Sequence, residues 1–99
     1  MEVKFIRWTG ESEPTTEDME EMFKKRDMDY YSFSNEKGYI YPEHEHEYNK
    51  FLVVASGKMK WKIAGNEKIL GMGDAVALPS GTSHEVEVLE DCECWEGHF

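Results

Sequence analysis

The chain reads as an all-β protein, a sandwich or barrel of short strands preceded by one short helix. Three observations predict it. From Asp29 to the C-terminus, short apolar or alternating runs recur between clusters of Gly, Asn, Ser and Pro. Residues 58–63 alternate cleanly, with Met59, Trp61 and Ile63 on one face and three lysines on the other. Helical spacing is confined to one stripe, Met19, Met22 and Phe23.

Residues 3–8, Val-Lys-Phe-Ile-Arg-Trp, read as a first strand, and a polar turn from Thr9 to Pro14 follows. Thr15 or Thr16 can cap a helix running to about Arg26. Thr15 with Asp18 makes a capping-box-like pair, and Lys24, Lys25 and Arg26 suit the negative end of the helix dipole. Residues 30–33 and 39–41 are strands divided by the turn Asn35-Glu36-Lys37-Gly38. Phe51 to Ala55 is unbroken in its apolarity, which predicts a strand buried on both faces. Ser56-Gly57-Lys58 is expected to turn the chain before the strand at 58–63, and Gly65-Asn66 to close a tight hairpin. Strands at 68–70, 75–78, 84–89 and 92–95 complete the set. No internal repeat, linker or low-complexity tract divides the 99 residues, so one domain over 1–99 is expected.

The charge balance excludes some functions. With 21 acidic and 11 basic residues, a net charge of -10 repels phosphate backbones and anionic membrane surfaces, so neither nucleic acid nor membrane is an expected partner. The acids Glu85, Glu87, Glu90, Asp91, Glu93 and Glu96 carry no Lys or Arg among them and read as a solvated edge. No apolar run approaches the ~20 residues that span a bilayer, and the N-terminus lacks the order of a secretory signal, so a cytoplasmic location is expected. Cys92 and Cys94 share one face of an extended strand, where a disulfide between them would be strained, which agrees with a reducing compartment. A second site of Cys92, Cys94 and His98 lacks a strong spacing signature and is not expected.

Three of the four histidines sit in unusual contexts. His44 and His46 are two apart and share a face on extended backbone. His84 shares its face with Val86 and Val88, which predicts that it points inward, while Glu85 and Glu87 point away. Glu45 and Glu47 fall on the outer side by the same alternation, and only a bulge after His46 would re-aim Glu47. Imidazoles facing one interior can bind a divalent transition metal or satisfy one another by hydrogen bonds.

The spacing of these residues is specific. One stretch reads Gly38-x5-His44-x-His46-x3-Lys50-x6-Gly57, and a second reads Gly73-x5-Pro79-x-Gly81-x2-His84. The two closely resemble the paired sequence motifs of the cupin superfamily. The glycines have local reasons as well, since Gly57, Gly73 and Gly81 stand where turns need positive φ or close backbone approach. The resemblance implies a double-stranded β-helix, or jelly-roll cupin barrel. It further implies that His44, His46 and His84 are ligands of one divalent transition metal: iron, manganese, nickel, zinc or copper. The family's glutamate is absent; Lys50 stands in its place. Val88 stands where the second motif usually carries asparagine.

An ammonium has no lone pair and repels a dication, so the resemblance implies a three-histidine site with open positions. Lys50 could then turn outward, pair with Glu43, Glu45 or Glu47, or help hold an anionic ligand. Tyr48, Lys50 and Trp61 are candidate ligand-binding residues at the barrel mouth. Two functions are consistent with this reading. One is a metal-dependent enzyme, of dioxygenase or isomerase type, acting on a small anionic metabolite. The alternative is a non-catalytic ligand- or metal-binding module. No catalytic base stands out beyond the histidines. The modest core of so short a chain, together with the family resemblance, makes a homodimer the expected assembly.

Overall fold

In the computed structural model, residues 2–99 are described. The order of elements is β1 (Lys4–Ile6), α1 (Thr16–Lys24), β2 (Tyr31–Asn35), β3 (Ile40–His44), β4 (Lys50–Ile63), β5 (Asn66–Leu70), β6 (Ala75–Leu78) and β7 (His84–His98). All strand pairs are antiparallel. The long strands β4 and β7 pair with each other along most of their length. Their first and last halves take different outer neighbours, which makes two layers. The first half of β4 lies between β6 and the last half of β7, flanked by β1 and β2. The last half of β4 lies between β5 and the first half of β7, flanked by β3. This is a jelly-roll arrangement.

Both long strands bend where the two layers meet. The expected turn at Ser56-Gly57-Lys58 is a bend inside one continuous strand, and residues 84–89 and 92–95 are parts of one strand. The β4–β7 register shifts three times between Val54 and Met59, so irregular pairing there lets the ladder continue around the corner. Gly57 makes the corner passable. Its φ is +84°, and a Cβ there would lie 2.2 Å from the Asp91 carbonyl oxygen. Gly57→Ala is therefore expected to destabilise the fold by about 2 kcal/mol or more, read as a lower urea midpoint. Gly65 also has positive φ, but a Cβ there meets nothing within 4 Å. Gly65→Ala is expected to cost only about 1 kcal/mol.

The β4–β5 hairpin differs from expectation by one residue. Ile63 pairs with Asn66, so the loop is Ala64-Gly65, and both residues have positive φ. That is the backbone of a type I′ turn, whose twist matches the strands it joins.

The unbroken apolar run of β4 is buried on both faces, as its composition predicts. Leu52 and Val54 face the interior with Met59, Trp61, Leu70, Val76, Val86 and Val88. Phe51, Val53 and Ala55 face the other way, against Met19 and Phe23 of α1 and Trp95. The helix thus covers the outside of one layer. It begins at the Thr15–Asp18 capping box, in which Thr15 Oγ1 accepts from the Asp18 N–H and the Asp18 carboxylate accepts from the Thr15 N–H. Arg26 lies 4.2 Å over the Phe51 ring and closes that face. No helix among the described residues is long and apolar enough to cross a membrane.

Candidate metal centre

The sheet register brings the two histidine segments together. His44 ends β3 and pairs directly with His84 at the start of β7, while His46 follows in the loop leading to β4. The strand alternation holds for His84, Val86 and Val88, all buried, while Glu45 and Glu47 stay exposed. One ring nitrogen from each of His44, His46 and His84 lies within 4.8 Å of the others.

Hydrogen bonds orient two of these rings. His44 Nδ1 is 2.7 Å from the Pro42 carbonyl oxygen, and His84 Nδ1 is 2.8 Å from that of Thr82. A carbonyl oxygen only accepts, so both Nδ1 atoms carry a proton, and Nε2 is in each ring the atom turned toward the other histidines. His44 Nε2 and His46 Nε2 are 3.1 Å apart. Lys50 Nζ carries only donors and lies 3.2 Å from His46 Nε2, so His46 Nε2 accepts there and has no proton to offer His44 Nε2. His84 Nε2 is buried with no partner among the described residues. Burial pushes the His84 imidazole down to about 4, against the opposing pull of the Thr82 carbonyl, so the ring is neutral near pH 7. Burial also lowers His46, helped by the positive charge of Lys50. Converging, oriented imidazoles with one orphaned nitrogen suit a bound transition ion, and the residues fit it.

Lys50 points into the barrel. It is 8% exposed, and its Nζ lies 3.2 Å from His46 Nε2 and 3.2 Å from Glu96 Oε1. Its partner is thus Glu96, and not Glu43, Glu45 or Glu47, which are exposed. Glu96 corrects the reading of the acidic stretch as a solvated edge, because it is 4% exposed. Its Oε2 accepts from Tyr31 Oη at 2.5 Å and contacts His98 Nε2 at 2.6 Å. Burial opposes ionisation of this carboxyl. The bonds from Tyr31 and His98 and the charge of Lys50 outweigh it and hold Glu96 below its ordinary value. Strand parity points to Glu96 only in part: His84, Val86, Val88, Cys92, Cys94 and Glu96 share one parity and are buried, while Glu90 and His98 share it and are exposed.

These groups line one cavity of about 240 Å³. Phe33, Leu52, Met59, Trp61 and Val86 form its apolar part; the histidines, Tyr31, Tyr41, Lys50 and Glu96 form its polar part. Trp61 is buried deep in this cavity, at 1% exposure, and its ring stacks on His84 at 5.4 Å. Tyr48 lies outside the cavity lining, between His46 at 4.8 Å and His98 at 3.8 Å in a stacked ladder. His98 engages Glu96, Tyr31 and Tyr48, leaving Cys92 and Cys94 as buried free thiols without it.

Comparison with known proteins agrees with this geometry. The family model described as the cupin domain matches residues 33–94, well over half of the chain. A search of curated proteins by sequence returns no match. Among solved structures, a DUF861 family protein from Thermotoga maritima is similar with a TM-score of 0.70 and 21% identity, over 99% of this chain and 100% of that one. KdgF from Halomonas sp. is similar with a TM-score of 0.60 and 23% identity, over 71% of this chain and 69% of that one. YcfD, a ribosomal oxygenase from Escherichia coli, is similar with a TM-score of 0.64 and 22% identity, over 72% of this chain and 22% of that one. At these identities the likeness is one of fold.

Proposed function

Because the chain belongs to the cupin domain family, we propose that it binds one divalent transition metal through Nε2 of His44, His46 and His84 and acts there on a small anionic metabolite. The observation that carries the metal is the buried, partnerless Nε2 of His84, aligned by the Thr82 carbonyl and converging with two other imidazoles. When bound, iron, manganese, nickel, zinc or copper would supply Lewis acidity toward an oxygen of the ligand.

The chain's own residues set what such a ligand is. Three neutral imidazoles leave the ion's charge uncancelled, and Lys50 with Glu96 adds no net charge, so the cavity favours an anion. Lys50 has three N–H donors, and Glu96 accepts from one of them. A ligand carboxylate or phosphate can take another. Trp61, Leu52 and Val86 enclose the ligand's apolar part and keep water from the polar end. Tyr48 stacks on His46 and holds that ring in place beside the cavity. Support for an enzyme of isomerase or dioxygenase type comes from the open positions that a three-histidine site leaves for ligand. Support for the non-catalytic module comes from the enclosed apolar wall. Turnover separates the two. The small core keeps a homodimer within the proposal, which light scattering decides, and the two free thiols support a reducing, cytoplasmic location.

The decisive measurement is metal loading of the purified, untagged protein followed by X-ray absorption. The expected outcome is one equivalent per chain with imidazole nitrogen in the first shell. Failure to load any of manganese, iron, nickel, copper or zinc would sink the reading.

A further inference from the structure

Lys50 holds the lone pair that a metal ion at His46 would use. Its Nζ lies 3.2 Å from His46 Nε2, and an imidazole nitrogen has a single lone pair in the ring plane. An ion at that nitrogen needs the same lone pair and is repelled by the same ammonium. The fold keeps Lys50 in this place. It opens β4, paired with Leu78 on one side and His98 on the other. It is 8% exposed, and its second partner, Glu96 Oε1 at 3.2 Å, is 4% exposed.

We infer that Lys50 makes the centre conditional: the ion binds tightly only together with a small carboxylate, which takes over the ammonium that His46 gives up. This rests on the three-histidine centre proposed for the chain. Binding of an ion at His46 Nε2 strips Lys50 of one acceptor, and Glu96 serves only one of its three N–H groups. An underserved ammonium beside a dication in a low-dielectric interior is unfavourable on both counts. A carboxylate removes both. One oxygen binds the ion, the other accepts from Nζ, and its charge offsets the repulsion. The hydroxyl protons of Tyr31 and Tyr41 go to Glu96 and Asn35, so Lys50 is the charged donor left to the ligand. The apolar wall of Phe33, Leu52, Met59 and Val86 takes the carbon chain, and a cavity of about 240 Å³ limits the ligand to a small acid. By linkage, the acid tightens the ion and the ion tightens the acid by one and the same factor.

The test is calorimetric titration of metal-free protein with nickel(II) at fixed pH and ionic strength. It is run alone, with saturating propionate, and with propionamide, the neutral molecule of the same shape. In the wild type, propionate is expected to tighten nickel(II) binding by about 10-fold or more, and propionamide to leave it unchanged. The Lys50→Met/Glu96→Gln variant removes both charges, so none is left stranded. It is expected to bind nickel(II) alone about 10-fold more tightly than wild type and to lose most of the propionate effect. A wild type indifferent to propionate, or a double variant no tighter than wild type toward nickel(II) alone, would overturn the inference and leave the three-histidine centre standing. Should the double variant not fold, propionate against propionamide on the wild type decides. No nickel(II) bound by either protein under any of these conditions would overturn the inference together with the metal reading beneath it.

Discussion

Replacing His84 with alanine is expected to weaken divalent-metal binding by at least about 100-fold, equivalent to about 2.7 kcal/mol. The magnitude is a lower bound. Loss of a group that merely orients a ligand costs roughly 10- to 100-fold, and His84 is itself the proposed ligand. Its ring is 1% exposed, stacked on Trp61 and tied to Thr82, so it has no freedom to be replaced by a neighbour. Isothermal titration of apo wild type and variant measures the effect, with circular dichroism to show that the variant is folded. Equal affinities would mean that the three imidazoles are a hydrogen-bonded cluster and no metal site.

Lys50→Met is expected to destabilise the protein by about 3 kcal/mol at neutral pH, because it strands the Glu96 carboxylate in the interior. The value lies at the low end for a broken buried pair, since Tyr31 and His98 still serve Glu96. The Lys50→Met/Glu96→Gln double variant removes the stranded charge and is expected to recover most of the loss. Acid separates the wild type from Lys50→Met. In the wild type Glu96 titrates below the ordinary value of 4.5, so the unfolded chain binds its proton first as pH falls. The stability that Glu96 contributes is present above that value and is lost as pH drops through the folded-state pKa. Without the ammonium the folded-state value rises, and this acid-dependent part shrinks. Urea unfolding at pH 7 and pH 4 reads both effects, and a Lys50→Met variant as stable as wild type at pH 7 would show that the pair contributes nothing.

Much of this protein was legible in its sequence, because strand parity and turn chemistry are local. The capping box at Thr15 and Asp18, the inward face of Met59 and Trp61, the double burial of Phe51 to Ala55 and the inward His84 all follow from neighbours a few residues away. So do the positive-φ glycines at 57, 73 and 81. The motif spacing identified the family from the same short-range relations. What failed locally failed at the corner. Gly57 read as a turn because it needs positive φ, yet β4 continues through it, since pairing with β7 persists on both sides of the bend.

Only the tertiary structure decided the rest, and the reason is register. Whether Lys50 turns outward or inward depends on what the facing strand offers it, and the pairing of β4 with the far end of β7 sets Lys50 opposite His98 and within 3.2 Å of Glu96, two residues along. Charge alone argued for keeping Glu96 in water; Tyr31 and Lys50 from distant parts of the chain, with the nearby His98, make its burial tolerable. The meeting of Met59 with Cys94 likewise needs two bends in two strands. Sequence determined which side chains share a face, and the closing of one strand on another determined which faces meet.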